Sequence, residues 1–177
     1  MQKKHRCNRS IINHDGLSTC METRALTQND VDSIWLINEQ GLPGTGQVSE
    51  QEISDLLKLS TLSLGVFREE ELLGFVICLS PGTTYSSLNY AWFNSKYTDF
   101  IYVDRIAVLT DYRDEGIGSR LYEEVIAYSQ ENSLPITAEV NLNPPNPGSM
   151  RFHNRFGFEE VGIFHHNEKS VTMLLRQ

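Results

Sequence analysis

The stretch that decides the fold runs from Phe100 to Ser119: Phe-Ile-Tyr-Val-Asp-Arg-Ile-Ala-Val-Leu-Thr-Asp-Tyr-Arg-Asp-Glu-Gly-Ile-Gly-Ser. Phe100 to Leu109 is dense in β-branched and aromatic residues and reads as a strand. Thr110 to Glu115 is a polar turn. Gly116 then opens an amphipathic helix to Glu131, with Ile117, Leu121, Val125 and Tyr128 on one side. Glycines at a helix start let the main chain bend tightly and approach a ligand. The first helical turn also offers unpaired N–H groups and a partial positive charge, which suit a phosphate or pyrophosphate. Two familiar nucleotide loops are excluded. A dinucleotide loop needs a third glycine where Leu121 stands, and a triphosphate loop needs Gly-Lys-Ser/Thr where Gly118 is followed by Ser119-Arg120.

Working outward, Glu22–Leu26 is a short strand. Thr27-Gln-Asn-Asp30 starts a helix that ends near Gly41, and Ser49-Glu-Gln-Glu52 is a second capping box opening another helix. Between them Leu42–Gly46 is a loop. Leu62–Phe67 and Leu72–Leu79 form a hairpin across an acidic turn. Ser80–Asp99 reads as a long loop rich in Ser, Thr, Asn and aromatic residues. After the decisive stretch come a strand over 136–142, a break at Pro144, Pro145 and Pro147, and a short helix over 148–156. Two final strands follow at 159–164 and 170–175.

The whole chain of 177 residues suits one compact domain, residues 21–177, preceded by a basic extension over residues 1–20. A formal net charge of −8 argues against nucleic acid as the main partner, which demands a surplus of Lys and Arg facing phosphate. The extension holds four bases against one acid, so the domain itself carries −11. No apolar run is long enough to cross a bilayer, and no secretory signal core is present. Three scattered cysteines make no disulfide framework, and a cytoplasmic setting is the simplest reading. His5, Cys7, His14 and Cys20 fit no familiar zinc spacing, so no metal is expected.

Arg113-x-x-Gly116-x-Gly118 after a strand resembles the acyl-CoA signature of the GNAT superfamily of N-acetyltransferases. Asn146-x-x-Ser149-x-x-x-His153-x-x-x-Gly157-Phe158 is similar to that family's second signature, at the expected distance. Tyr102–Ile106 and Glu139–Ser149 look like a bacterial subgroup of predicted acetyltransferases that carries no substrate assignment. The resemblance covers nearly all of the chain after residue 20. It implies an α/β (α+β) fold: a mixed, mostly antiparallel sheet of six to seven strands, splayed at the centre, with helices on both faces. It also implies acetyl-CoA as cosubstrate. The Arg113, Asp114, Glu115, Gly116, Ile117, Gly118 and Ser119 loop would cradle its pyrophosphate. The pantetheine arm would lie along Ile106, Ala107 and Val108, and Asn146 and Ser149 would approach from the other side. The sequence departs from the family where Asp114 and Glu115 replace a glycine and a base, with Arg113 and Arg120 available to offset them. It departs again where His153 replaces the tyrosine that acts as general acid.

The resemblance further implies an N-acetyltransferase in which an amine attacks the thioester directly and loses a proton to a general base. Asp104 and Glu139, each embedded in an apolar strand, are the candidates. Asp104 pairing with a base such as Arg105 or Arg155 is the plainer alternative. His153 is either the general acid or a packed helix residue. Tyr85, Tyr90 and Trp92 either shape the acceptor pocket, where they could grip a cation, or fold back as core. His165-His166 is no metal pair, since adjacent strand residues face opposite sides. Cys78 reads as core. The acceptor is an amine on a small molecule or a protein, and the protein acts as monomer or homodimer. A catalytically weak acyl-CoA-binding module and an O-acyltransferase are the rival readings.

Overall fold

The computed structural model describes residues 20–167 and 169–177. The basic extension expected over residues 1–20, and with it His5, Cys7 and His14, lies outside them up to position 19. The described chain runs β1 (Met21–Ala25), α1 (Val31–Gln40), α2 (Glu50–Leu59), β2 (Leu62–Arg68), β3 (Glu71–Leu79) and α3 (Leu88–Asn94). It continues with β4 (Ile101–Val108), α4 (Ile117–Asn132), β5 (Ile136–Asn143), α5 (Pro147–Arg155), β6 (Glu159–His166) and β7 (Lys169–Arg176).

The seven strands form one sheet in the order β1-β2-β3-β4-β5-β7-β6. Every neighbouring pair is antiparallel except β4 and β5, which run parallel. The strand β3 shows why the sheet is covered on both faces. From Phe75 onward its apolar run alternates sides with the period of a strand, and a bulge before Gly74 turns Leu73 to the side of Val76. Phe75, Ile77 and Leu79 pack with Ile34, Ile37 and Ile53 of α1 and α2. Leu73, Val76 and Cys78 pack on the opposite face with Leu121, Tyr122 and Val125 of α4. Burying such side chains contributes about 1.5–3 kcal/mol each. Both capping boxes are present, Thr27 with Asp30 and Ser49 with Glu52. Asp30 also takes both Arg24 guanidinium nitrogens, at 3.0 and 2.8 Å, so the helix start is tied to the end of β1.

One expectation fails. Ser80–Asp99 is not wholly a loop, because α3 occupies its middle, with Ser87 accepting from the Tyr90 N–H. Tyr, Trp, Phe and Asn are weak helix formers, and two turns carry no readable periodicity. The helix exists because Tyr90 and Phe93, one turn apart, both reach the core beside Phe100 and Tyr102. No helix among the described residues is long and apolar enough to cross a membrane.

Candidate active site

The parallel strands β4 and β5 pair only at Ile101↔Ile136 and Tyr102↔Thr137, and then part. A β-bulge sharpens the divergence. Ile77 pairs with Arg105 and Cys78 with Val103, which leaves Asp104 with no residue opposite it. Such a bulge bends its strand and adds twist. Beyond it, the Ile106–Val108 segment stays paired to β3 on one side and borders an open cleft on the other.

The loop after α1 spans this cleft like a strap. Asn141 of β5 donates to the Pro43 carbonyl at 3.2 Å, and Gly44 packs against the Asn146 side chain. Arg105 anchors the same loop from β4, donating to Asn38 Oδ1 at 2.8 Å, while Asn38 donates to the Gly46 carbonyl at 3.0 Å. The strap divides the cleft into two cavities, of about 690 and 520 Å³, with Ile106, Asn141 and Ser149 in the wall of both.

The larger cavity is built around the start of α4. Gly116, at φ +83°, is the cap residue, a left-handed conformation that favours glycine. Ser49, Ser87 and Asn146 cap α2, α3 and α5 with their side chains, whereas no side chain caps α4 among the described residues. Its first-turn N–H groups therefore face the cavity without an internal acceptor, the arrangement that suits a phosphate. A Cβ at Gly118 would stand 3.4 Å from the Phe152 ring, so the passage there is narrow.

The smaller cavity has Glu139 in its wall. Glu139 Oε1 accepts from the Tyr102 hydroxyl at 2.9 Å and from the Asn89 amide at 3.0 Å, while the enclosed Oε2 has no partner among the described residues. Burial, helped by the Asp104 charge, pushes the Glu139 carboxyl up to about 8 against the pull of those two hydrogen bonds. Asp104 is tied to Arg105 at 2.8 Å, with side-chain exposures of only 4% and 8%. Burial works against the Arg105 charge, yet the Asp104 carboxylate outweighs it and raises the guanidinium further.

A model of the acetyltransferase (GNAT) family matches residues 32–158. The chain belongs to that family. No curated protein matches it in sequence. Solved structures resemble it across most of their length. Ard1 from Thermoplasma volcanium has a TM-score of 0.71 at 17% identity, covering 88% of this chain and 96% of that one. The ribosomal-protein-S18-alanine N-acetyltransferase of Escherichia coli has a TM-score of 0.68 at 16% identity, covering 88% and 92%. Arabidopsis thaliana NAA60, solved in complex with acetyl-CoA, has a TM-score of 0.68 at 19% identity, covering 88% and 97%. At such identities the likeness shows the fold.

Within the GNAT domain, the residues singled out from sequence separate into groups. Ile106, Ala107, Val108, Arg113, Asp114, Gly116, Ile117, Gly118, Ser119, Asn146 and Ser149 all line the larger cavity. Glu115 does not; its carboxylate turns to Arg68 at 3.3 Å. Arg120 likewise points back to β1, donating to Thr23 Oγ1 at 2.6 Å, so it does not offset the loop carboxylates. Asp104, Glu139, His153 and Tyr85 line the smaller cavity. Burial raises the Tyr85 phenol, with the Asp104 charge adding to it.

Tyr90 and Trp92 line neither cavity, because α3 folds them back as the core alternative expects. Tyr90 is buried and donates to the Ser80 carbonyl at 2.7 Å, and Trp92 packs over Gly162 with Lys96 above its ring. His153 is buried with both ring nitrogens engaged. Nδ1 lies 2.8 Å from the Ser149 carbonyl, which only accepts, so Nδ1 carries the hydrogen and Nε2 accepts from the Tyr122 hydroxyl at 2.7 Å. Burial lowers its pKa, against the pull of the Ser149 carbonyl, and favours the neutral ring. Sequence reasoning missed Asn89, weighed His166 only as half of a metal pair and read the strap only as a loop, because nothing local marks what any of them touches. No cluster able to hold a metal occurs among the described residues.

Proposed function

We propose that the protein transfers an acetyl group from acetyl-CoA to a primary amine, with Glu139 as general base. The observation that carries this reading is the pair of cavities meeting beneath the strap. One presents uncapped helix N–H groups suited to a pyrophosphate, the other a buried carboxyl, and Ile106 and Ser149 border both. Acetyl-CoA supplies an activated thioester. The chain supplies the rest. The α4 start would hold the pyrophosphate, the free edge of β4 would pair with the pantetheine arm, and a strand N–H near Val108 would donate to the thioester oxygen.

On the acceptor side the attacking nitrogen forms the new C–N bond as the C–S bond breaks. Its surplus proton passes to Glu139, and the leaving thiolate takes up a proton from solvent or from a donor near Ser149. A carboxyl raised to about 8 is a better proton acceptor once ionised than an ordinary glutamate, because its conjugate acid is weaker. Asp104, held by Arg105, shapes the field around Glu139. His153, with both nitrogens occupied, braces the first turns of α5 at Ser149.

Thiol release with a panel of amines tests this reading, alongside calorimetric titration with CoA. The panel includes peptide N-termini, because the Escherichia coli neighbour is a ribosomal-protein-S18-alanine N-acetyltransferase. Micromolar CoA binding with turnover on at least one amine is expected. Binding without turnover on any amine would leave a binding module, and turnover on hydroxyl acceptors alone would make the protein an O-acyltransferase.

A further inference from the structure

A hydrogen-bond chain reaches Glu139 from the far edge of the sheet. His166 at the end of β6 and Asn89 on α3 are 77 residues apart, yet His166 Nε2 lies 2.8 Å from Asn89 Oδ1. The Asn89 amide nitrogen donates onward to Glu139 Oε1 at 3.0 Å. The chemistry of the amide fixes the direction of both links. With its nitrogen committed to the carboxyl, Asn89 has only its oxygen to offer His166, so His166 Nε2 must be the donor. Both N–H groups thus point along the chain toward Glu139. The ring's other nitrogen, Nδ1, is enclosed and has no partner among the described residues.

We propose that His166 locks the Asn89 side chain in the orientation that donates to Glu139, and that the pair are positioning residues for the carboxylate. This rests on the reading of Glu139 as the base. Without a donor at position 166, only the carboxyl itself holds the amide against rotation by half a turn. The Asn89 oxygen would then face the carboxyl and could be satisfied only by a protonated Glu139. The lock therefore selects the ionised form, which is the form that accepts a proton.

Other groups face the same carboxyl. From β4 come the Tyr102 hydroxyl, a second donor to Oε1, and the Asp104–Arg105 pair. His153 of α5 and Lys169 of β7 border the cavity from the remaining sides. Of these, only Tyr102 shares Oε1 with Asn89, so loss of the amide donor leaves one hydrogen bond where there were two.

The test is a carbon-13 NMR titration of the intact protein labelled at glutamate side-chain carboxyls, with Glu139→Gln identifying the Glu139 signal by its absence. Asn89→Ala and His166→Phe are expected to raise the Glu139 midpoint by about one pH unit, the size of one hydrogen bond to the charged form. His166→Gln, whose amide can still donate to Asn89, is expected to keep the wild-type midpoint. An unmoved midpoint in Asn89→Ala and His166→Phe overturns the proposal, and so does a His166→Gln midpoint displaced like that of His166→Phe. The titration needs no turnover. Full activity in Glu139→Gln would refute the base reading while leaving the measured midpoints to decide the lock.

Discussion

Gly44 and Asn146 meet across the cleft with no room for a side chain between them: a Cβ on Gly44 would lie 2.9 Å from the Asn146 amide nitrogen. Asn146 is not free to withdraw, because its Oδ1 accepts from the Ser149 N–H at 3.1 Å and caps α5. The strap and the second signature helix are therefore fitted to each other. What seats the strap also holds Ser149 at the wall shared by the two cavities.

Gly44→Ala must push Asn146 off its cap, at a cost of about 1 kcal/mol. For a chain of this size that lowers the melting temperature by about 2–4 °C. Weaker acetyl-CoA binding should accompany it. Calorimetry and thermal melting check both, and a variant unchanged in both would mean the strap does not rest on Asn146.

Gly118→Trp places an indole where the passage already narrows against Phe152. Loss of CoA binding is expected with the helical circular dichroism intact, because position 118 is on the first turn of α4. An affinity equal to wild type would reject the cradle.

Asp114 sits at φ +67° beside the cavity, and Glu115 turns to Arg68. Asp114→Gly relieves the strain of a side chain at a left-handed position and removes a negative charge near the proposed pyrophosphate site. Tighter CoA binding by severalfold is expected, more so at low salt. Glu115→Gln should leave the affinity alone. Equal effects of the two substitutions would show that general field, not position, governs binding.

Glu139→Gln should lower turnover by about 100-fold at neutral pH. Wild-type turnover should rise as pH passes through about 8, where Glu139 ionises. Stability moves the other way. The folded value lies above the ordinary 4.5, so the unfolded chain ionises first. The contribution of Glu139 is fully present below pH 4.5 and is lost as pH climbs to about 8. Denaturant melts should therefore show Glu139→Gln gaining on wild type between pH 5 and 8. A constant difference would place the carboxyl in an ordinary environment.

Much of the fold was legible because its signals are local. The capping residues Thr27 and Ser49 announce helices through contacts three residues away, and β3 announces a strand covered on both faces by its unbroken apolar run. The Gly116-x-Gly118 turn was legible for the same reason: a left-handed residue and an uncapped helix start are properties of a few consecutive residues. The short helix α3 was not legible. Its stability comes from Tyr90 and Phe93 reaching a core that the chain completes only later.

The sequence by itself marked every strand and every helix but α3, the glycine turn that opens α4 and the two carboxylates on the central strands. Only the tertiary structure gave those carboxylates their different surroundings. It paired Asp104 with its neighbour Arg105 at a bulge, and it brought Asn89 and Tyr102, 50 and 37 residues away, onto Glu139. It also turned Tyr90 and Trp92 away from both cavities and drew the strap across the cleft. The reason is range. Periodicity and capping act within a turn or two, whereas the ionisation of a buried group depends on every dipole that folding packs around it.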